Sequence, residues 1–316
     1  MRRRDFIVLL SGTAALPAPV WAQEKRVLLG VLVPANAEPF FGALKEGLRA
    51  GGYVEGRNLR LELRTADGKP DRLPGLAREL VGMKVDVLVA WQTPAVHAAR
   101  EATTTIPIAM SAGDPVGTGL IQSLARPGGN ITGVTGTTAE MGGKTLEVIR
   151  EMLPSAKRVA VLANAADPFT KPFLQQIEQA ARAVSVELRP IQVRGVHEFD
   201  AAFSEFQQWR ADAVIVQPSL PREAAIRHTL KLRLPSISAI RGFPEAGGLM
   251  SYSASNVVLS RELAVYVDKL LKGAKPADLP VQQATVYELV VNAKTAKALG
   301  ISIPRSLLLR ADHVIE

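Results

Sequence analysis

Short hydrophobic runs along this chain alternate with longer amphipathic segments in a regular order. The runs predict strands and the amphipathic segments predict helices, because a buried strand is apolar throughout or at alternate positions, whereas a helix buries one stripe. In the first half, the predicted strands cover residues 26–33, 58–64, 85–90 and 106–110, and the predicted helices cover 40–50, 71–81 and 94–103. This alternation predicts a parallel sheet with helices on both faces.

The second half repeats this order. Its predicted strands cover residues 157–164, 186–193, 213–217 and 235–239, and its predicted helices cover 170–184, 199–209 and 221–231. The loops after the two first strands are also alike, since PANAEPF at 34–40 resembles ANAADPF at 163–169. We therefore expect two copies of one α/β lobe. The alternative is a chance similarity between two generic α/β units.

The C-terminal part does not have the pattern of a third lobe. It contains a strand-like segment at 247–252, an amphipathic helix at 257–272, a strand at 286–291 and a short helix at 295–299. We expect these pieces to complete the two lobes, so that the chain crosses between them more than once.

Residues 1–22, MRRRDFIVLLSGTAALPAPVWA, have the pattern of an export signal. Three arginines precede an apolar run, and a small-residue cleavage site ends at Ala22. Arg3 and Arg4 resemble the pair of the twin-arginine signal. We expect a periplasmic protein, exported by a twin-arginine-like or general secretory route. The alternative is a short membrane anchor, although the apolar run is shorter than the ~20 residues that a spanning helix needs.

Composition narrows the possible chemistry. The chain has no cysteine, which excludes disulfides, thiolate metal sites, a cysteine nucleophile and a lipid-anchoring cysteine. The formal net charge is +8, but the basic residues are dispersed. We interpret this charge as a solvated basic surface rather than a nucleic-acid site. No GxGxxG, Walker A or GxSxG motif is present, and the four histidines lack metal-ligand spacing, so we expect no cofactor, no metal and no catalysis.

Ligands of parallel α/β sheets bind beyond the carboxyl ends of the strands. The residues at these positions combine hydrogen-bonding groups with aromatic rings, and we take them as candidate ligand-binding residues. They are Asn36, Glu38, Phe40, Trp91, Gln92, Thr93, Asp114, Asn164, Asp167, Phe169, Gln217 and Ser219, together with Tyr252 of the C-terminal strand-like segment.

Two of these candidates invite a specific role. Thr93 precedes Pro94 at a predicted helix start, where its hydroxyl and the N–H groups of the first turn suit a carboxylate; a plain helix cap is the alternative. For the Asp114 carboxylate two roles are open: binding a cationic group of the ligand, or capping a helix over 117–124. The rings of Phe40, Trp91 and Phe169 offer stacking surfaces for a planar ligand, the alternative being that they face the core.

Six stretches of the mature chain resemble periplasmic solute-binding proteins of the ABC-transporter substrate-binding family related to tryptophan-binding TrpX. They are GYVEGRNL at 52–59, DRLPGLARELV at 71–81, KVDVLVA at 84–90, GDPVGTGLIQSLARPGGNITG at 113–133, LMSYS at 249–253 and KALGISIPRSLLLRADHVIE at 297–316. The start MRRRDF is also typical of this family.

The resemblance implies a type I periplasmic-binding-protein fold, with two Rossmann-like lobes, a three-strand hinge and the ligand in the cleft. It implies discontinuous lobes, namely residues 25–138 with 248–279, and residues 139–247 with 280–316. It also implies an ABC permease with its cytoplasmic ATPase as partner, contact with the membrane only through that permease, and no catalysis. Characterised relatives bind aromatic amino acids.

We therefore expect the periplasmic solute-binding component of an ABC-type importer, with a small carboxylate-bearing ligand, an aromatic amino acid being favoured. Two alternatives remain at this point. One is a ligand-sensing subunit for a membrane receptor, and the other is an exported α/β enzyme.

Overall fold

The structure, a computed structural model, describes residues 26–136 and 141–316. Its strands are β1 (Val27–Val33), β2 (Leu59–Thr65), β3 (Val87–Trp91), β4 (Ile108–Ser111), β5 (Ile131–Thr135), β6 (Arg158–Asn164), β7 (Glu187–Val193), β8 (Ala213–Val216), β9 (Ser236–Ser238), β10 (Met250–Ala254), β11 (Gln282–Gln283), β12 (Tyr287–Asn292) and β13 (His313–Ile315). The expected export signal lies outside the described residues.

The helices are α1 (Phe40–Ala50), α2 (Leu73–Gly82), α3 (Thr93–Ala102), α4 (Met141–Met152), α5 (Thr170–Ala183), α6 (Phe199–Gln208), α7 (Arg222–Lys231), α8 (Gly242–Glu245), α9 (Asn256–Leu271), α10 (Ala293–Leu299) and α11 (Arg305–Arg310). Within the described part of the chain, no helix has the length and apolar character that a membrane span requires.

These elements form two sheets with the same internal order. The first sheet runs β11-β5-β4-β3-β1-β2, and the second runs β13-β12-β10-β9-β8-β6-β7. In each, five parallel strands are arranged 2-1-3-4-5 when they are counted within the lobe. The α/β fold class expected from the alternating pattern is confirmed, as is the type I periplasmic binding fold.

Alternate residues of each central strand face different helical layers. Val31 and Val33 of β1 belong to the apolar cluster that includes Leu44 of α1 and Leu263 of α9. Leu32, between them, belongs to a second cluster with α2 and α3. Because both faces of the sheet are covered, the strand is apolar at every position, as its sequence predicts.

The chain passes between the two sheets at three places. It leaves the first sheet after β5 and enters the second lobe at α4, which packs on α5. It returns after β10, since α9 packs on α1, β3, β4 and β5. It crosses again between β11, which pairs with β5, and β12, which pairs with β10.

These crossings differ from the lobe boundaries expected from the sequence. Residues 248–279 are not one piece of the first lobe, because β10 belongs to the second sheet. Residues 280–316 are not one piece of the second lobe, because β11 pairs with β5 of the first sheet. Strand pairing, which sequence patterns do not report, decides both points.

Two further elements escape the sequence patterns. The segment of β5, ITGVT, is short and half polar. The helix α4 has an apolar stripe that includes Leu146, Ile149 and Met152, but it begins with Met141 and two glycines, which give no start signal. The helix considered for 117–124 is absent, and residues 115–119 form turns instead.

Candidate ligand-binding cleft

The main candidate site is a cleft between the two lobes, beyond the carboxyl ends of their parallel strands. It contains about 670 Å³ of space, part of it open to solvent. The described residues that line it are Trp91, Gln92, Thr93, Ser111, Ala112, Gly113, Gly136, Met141, Asp167, Phe169, Gln217, Pro218, Ser219, Ala239, Ile240, Ala254, Asn256 and Leu259. The position follows from the strand order, because sheets of this type bind ligands where neighbouring strands lead to opposite faces.

Trp91 forms an aromatic wall of the cleft at the end of β3. Its ring stacks on that of Phe40, with ring centroids 4.3 Å apart and an angle of 11° between the planes. Phe40 is the first residue of α1, and its side chain is 1% exposed. Phe40 therefore lies behind Trp91 and holds the indole against the cleft rather than lining the cleft itself.

The turn from β3 into α3 has an unusual backbone. Gln92 has φ 67° and ψ 150°, a combination that side-chain-bearing residues rarely adopt and that costs about 1–3 kcal/mol. Its N–H donates to the Ser111 carbonyl (2.8 Å), while its own carbonyl accepts from Ala95 and Val96. This geometry presents the Gln92 side chain and the start of α3 to the cleft.

Hydroxyl and amide groups of the first lobe face the same space. The Thr93 hydroxyl exchanges two long hydrogen bonds with the backbone of Gly113, accepting from its N–H at 3.2 Å and donating to its carbonyl at 3.4 Å. Ser111 ends the neighbouring strand β4. Asn256 begins α9, and its side-chain Nδ2 is buried without a hydrogen-bond partner among the described residues. These groups are suited to receiving an anionic or polar ligand group.

The second lobe contributes a carboxylate held in a buried polar network. Asp167 accepts from the Phe169 N–H (2.9 Å) through Oδ1 and from Gln217 Nε2 (2.9 Å) through Oδ2. Gln217 is itself fixed, because its Oε1 accepts from the Asn164 N–H (2.8 Å) and from the Thr170 hydroxyl (3.0 Å). The network leaves the carboxylate little freedom to move.

Asp167 has no cationic partner in the cleft. The residue is 6% exposed, and none of the described residues that line the cleft is lysine, arginine or histidine. Burial raises the pKa of its carboxyl above the ordinary value, and the hydrogen bonds from Ser219, Phe169 and Gln217 act in the opposite direction. A buried carboxylate is costly unless it is paired, so this one is prepared for a cation.

The two lobes touch across the cleft. A Cβ placed on Gly113 of the first lobe would lie 3.1 Å from three ring carbons of Phe169 of the second. A Cβ on Gly68 would lie 3.7 Å from Pro221 in the same way. The two lobes are therefore in contact at both of these places.

The residues 31–315 match the model of the ABC transporter substrate binding protein family. The chain belongs to this family. A tyrosine-binding protein of Clostridioides difficile (strain R20291) is 28% identical over 263 residues, which are 81% of this chain and 75% of that protein.

Solved structures of similar proteins agree with this family assignment. A conserved domain protein from Vibrio cholerae O1 biovar El Tor has a TM-score of 0.84 and 29% identity, over 92% of this chain and 100% of that one. An ABC domain in complex with L-Trp from Streptococcus pneumonia has a TM-score of 0.82 and 26% identity, also over 92% and 100%. The expected family and the expected role as a transporter's substrate-binding component are confirmed.

Of the thirteen ligand-binding residues expected from the sequence, seven line the cleft: Trp91, Gln92, Thr93, Asp167, Phe169, Gln217 and Ser219. Two more lie directly behind them. Phe40 stacks on Trp91, and the buried Asn164 donates from Nδ2 to the Ser219 hydroxyl at 3.3 Å.

The other four candidates lie outside the cleft lining. Exposed Asn36 accepts from the Glu38 N–H (3.0 Å), and exposed Glu38 accepts from the Gly42 N–H (3.0 Å), so both organise the entry to α1. Asp114 accepts from the Gly117 N–H (2.9 Å) and thereby caps a turn. Tyr252 stacks on Tyr287 with ring centroids 5.9 Å apart.

Residues that the sequence did not single out complete the lining. Met141 begins α4 and Asn256 begins α9, and both helices start where the chain crosses between the lobes. The sequence did contain one indication of Asn256 as a candidate, namely that it is a polar residue at the start of an amphipathic helix. Nothing in the sequence indicates that this helix start meets the end of β3.

Proposed function

We propose that this substrate-binding protein captures an α-amino acid with an aromatic side chain in the periplasm and delivers it to an ABC permease driven by a cytoplasmic ATPase. The observation that carries the proposal is the buried carboxylate of Asp167, which has no cation beside it among the described cleft residues and faces uncharged donors across the cleft.

The charges of an α-amino acid fit this arrangement. The ammonium group would pair with Asp167 on the second lobe, and its attraction repays the cost of burying that carboxylate. The ligand carboxylate would meet the opposite lobe, where the Thr93 and Ser111 hydroxyls and the Asn256 amide are donors and the positive end of the α3 dipole adds attraction. A ligand with both charges would therefore bridge the lobes and favour closure.

The remaining walls favour an apolar, planar side chain. Trp91 and Phe169 supply rings, and Met141, Ile240 and Leu259 supply aliphatic surface. Aromatic contacts add about 0.5–1.5 kcal/mol each beyond the area that they bury. The named ligands of the relatives, tyrosine in one and L-Trp in another, support this choice.

The test is calorimetric titration of the mature protein, unfolded and refolded to remove any bound ligand. We expect tryptophan, tyrosine or phenylalanine to bind, and arginine and glucose not to bind. Asp167→Asn should weaken binding more than 100-fold, because removing one partner of a buried ion pair costs about 3–5 kcal/mol. Asp114→Asn, the same change at the turn-capping carboxylate, is the matched control and should bind as the wild type does.

A ligand without the ammonium group shows whether Asp167→Asn weakens binding through loss of the ion pair or through damage to the fold. The deaminated analogue of the bound amino acid should bind the wild type far more weakly than the amino acid does, and Asp167→Asn should no longer distinguish the two. Mass spectrometry of the released ligand should find it unchanged, as binding without catalysis requires. Equal affinity of the wild type for both ligands would refute the ion pair with Asp167. A chemically altered ligand would favour the hypothesis that the protein is an enzyme.

A further inference from the structure

A second, smaller cavity lies behind the cleft in the second lobe. We call it the annex; it contains about 440 Å³ of space, against about 670 Å³ for the cleft. Gly142, Thr145, Phe173, Gln176 and Ile177 line the annex alone. Met141, Phe169, Pro218 and Ala239 line both cavities, so these four residues form a shared wall.

The chemistry of the annex is apolar with one neutral polar end. Phe173 and Ile177 are buried, and the ring of Phe173 lies 5.9 Å from that of Phe169. The Thr145 hydroxyl already donates to the Met141 carbonyl at 2.9 Å. The Gln176 side chain makes no hydrogen bond to another described residue, and the described residues that line the annex include no charged one. An occupant would therefore be apolar with one uncharged hydrogen-bonding tip.

Gln176 is held at its place by close helix packing. A Cβ on Gly142 of α4 would lie only 2.8 Å from the backbone carbonyl of Gln176 on α5, so glycine is what permits the two helices to approach here. The contact fixes the backbone from which the amide projects, and the amide has no hydrogen bond to a described residue that an occupant would have to replace.

We propose that the annex is a subsite for the distal end of the ligand side chain, where the Gln176 amide hydrogen-bonds a phenolic hydroxyl. This rests on the function proposed above. Asp167, which would bind the ammonium group, and Phe169 of the shared wall are two residues apart on one loop, so the side chain of a bound amino acid starts next to this wall. A rotamer change of Met141, the flexible side chain of the shared wall, opens the wall to a ring, while Phe169 keeps its place against Gly113.

The consequence is a preference for tyrosine over phenylalanine. A net hydrogen bond is worth about 0.5–1.5 kcal/mol, so the wild type should bind tyrosine roughly 2- to 12-fold more tightly than phenylalanine. Gln176→Leu keeps the approximate volume but removes the amide, so the ratio of the two affinities should fall to about one through a loss for tyrosine alone. Gln176→Glu keeps an acceptor for the hydroxyl and should retain the preference.

Gln175→Leu is the matched control, because Gln175 is the exposed neighbour of Gln176 on the same helix. It should leave the affinity ratio as in the wild type, and thermal unfolding checks that each variant is folded. A wild-type ratio near one, or a Gln176→Leu variant that weakens both amino acids equally, would overturn the annex subsite and leave the proposed function intact. Failure of every aromatic amino acid to bind the wild type would instead overturn the proposed function.

Discussion

The ring of Phe169, from the second lobe, lies against the backbone of Gly113, from the first. A Cβ on Gly113 would come within 3.1 Å of Cε1, Cε2 and Cζ of this ring. Gly113 follows β4 and Phe169 precedes α5, so the contact joins two loops that the lobes carry towards each other. Closure of the cleft thus depends on the absence of a side chain at position 113.

Gly113→Val should weaken ligand binding by hindering this closure. Overpacking costs about 1–3 kcal/mol, which corresponds to roughly a 5- to 150-fold rise in Kd. Gly75→Val is the control, because a Cβ there has no atom within 4 Å. Calorimetry gives the affinities, and small-angle scattering should find Gly113→Val more extended than the wild type when ligand is present. Equal affinity and equal compaction would contradict the closure contact.

Trp91 should report ligand binding by its fluorescence. The indole lines the cleft, whereas Trp209 lies at the end of α6 with the Arg189 guanidinium 5.2 Å from its ring. We expect a bound, non-fluorescent ligand such as phenylalanine to change the emission of the wild type and of Trp209→Phe, but not that of Trp91→Phe. A signal that persists in Trp91→Phe and vanishes in Trp209→Phe would place the ligand elsewhere.

The carboxyl of Asp167 should make the stability of the ligand-free protein depend on pH. Burial raises its pKa above the ordinary value of 3.8, so the folded state binds the proton more tightly than the unfolded state. The stabilisation is fully present below the unfolded-state pKa and is lost as the pH rises through the folded-state pKa. Urea titrations should therefore show the wild type losing stability relative to Asp167→Asn as the pH rises above about 4. A difference that does not vary with pH would argue against a buried, unpaired carboxylate.

Gln92 should store backbone strain that glycine relieves. Its φ of 67° with ψ of 150° costs about 1–3 kcal/mol in a side-chain-bearing residue, while glycine loses about 0.5–1 kcal/mol more backbone entropy on folding than alanine does. Gln92→Gly should thus be more stable to urea than Gln92→Ala by about 1 kcal/mol. Both variants lack the side chain, so their difference measures the backbone alone, and an alanine variant of equal or greater stability would disprove the strain.

Local sequence patterns were sufficient to predict an element where the segment itself contains the hydrophobic pattern and the end signals of that element. The helix expected over 40–50 is α1, because its apolar stripe and the following glycines are local properties. The rule that ligands bind beyond strand ends led to Trp91 and Thr93, since it needs only the order of strands and helices. The strand β5 was missed because ITGVT is short and half polar, so that its stability comes from packing between neighbours. The helix α4 was missed despite its apolar stripe, because Met141 and the two glycines at its beginning give no start signal.

The sequence by itself determined two α/β lobes, their repeated order of strands and helices, and seven of the eighteen described residues that line the cleft. Tertiary structure alone decided between Asp114 and Asp167, two acidic residues in similar loops. Asp114 accepts a hydrogen bond from the Gly117 N–H within a turn, whereas Asp167 is buried beside Gln217 with no cation among the described residues of the cleft. It also brought Asn256 to the end of β3 through the crossing after β10. Both outcomes depend on contacts between segments that are far apart in the sequence. Such contacts form only when the strands pair into sheets, so residue spacing along the chain does not reveal them.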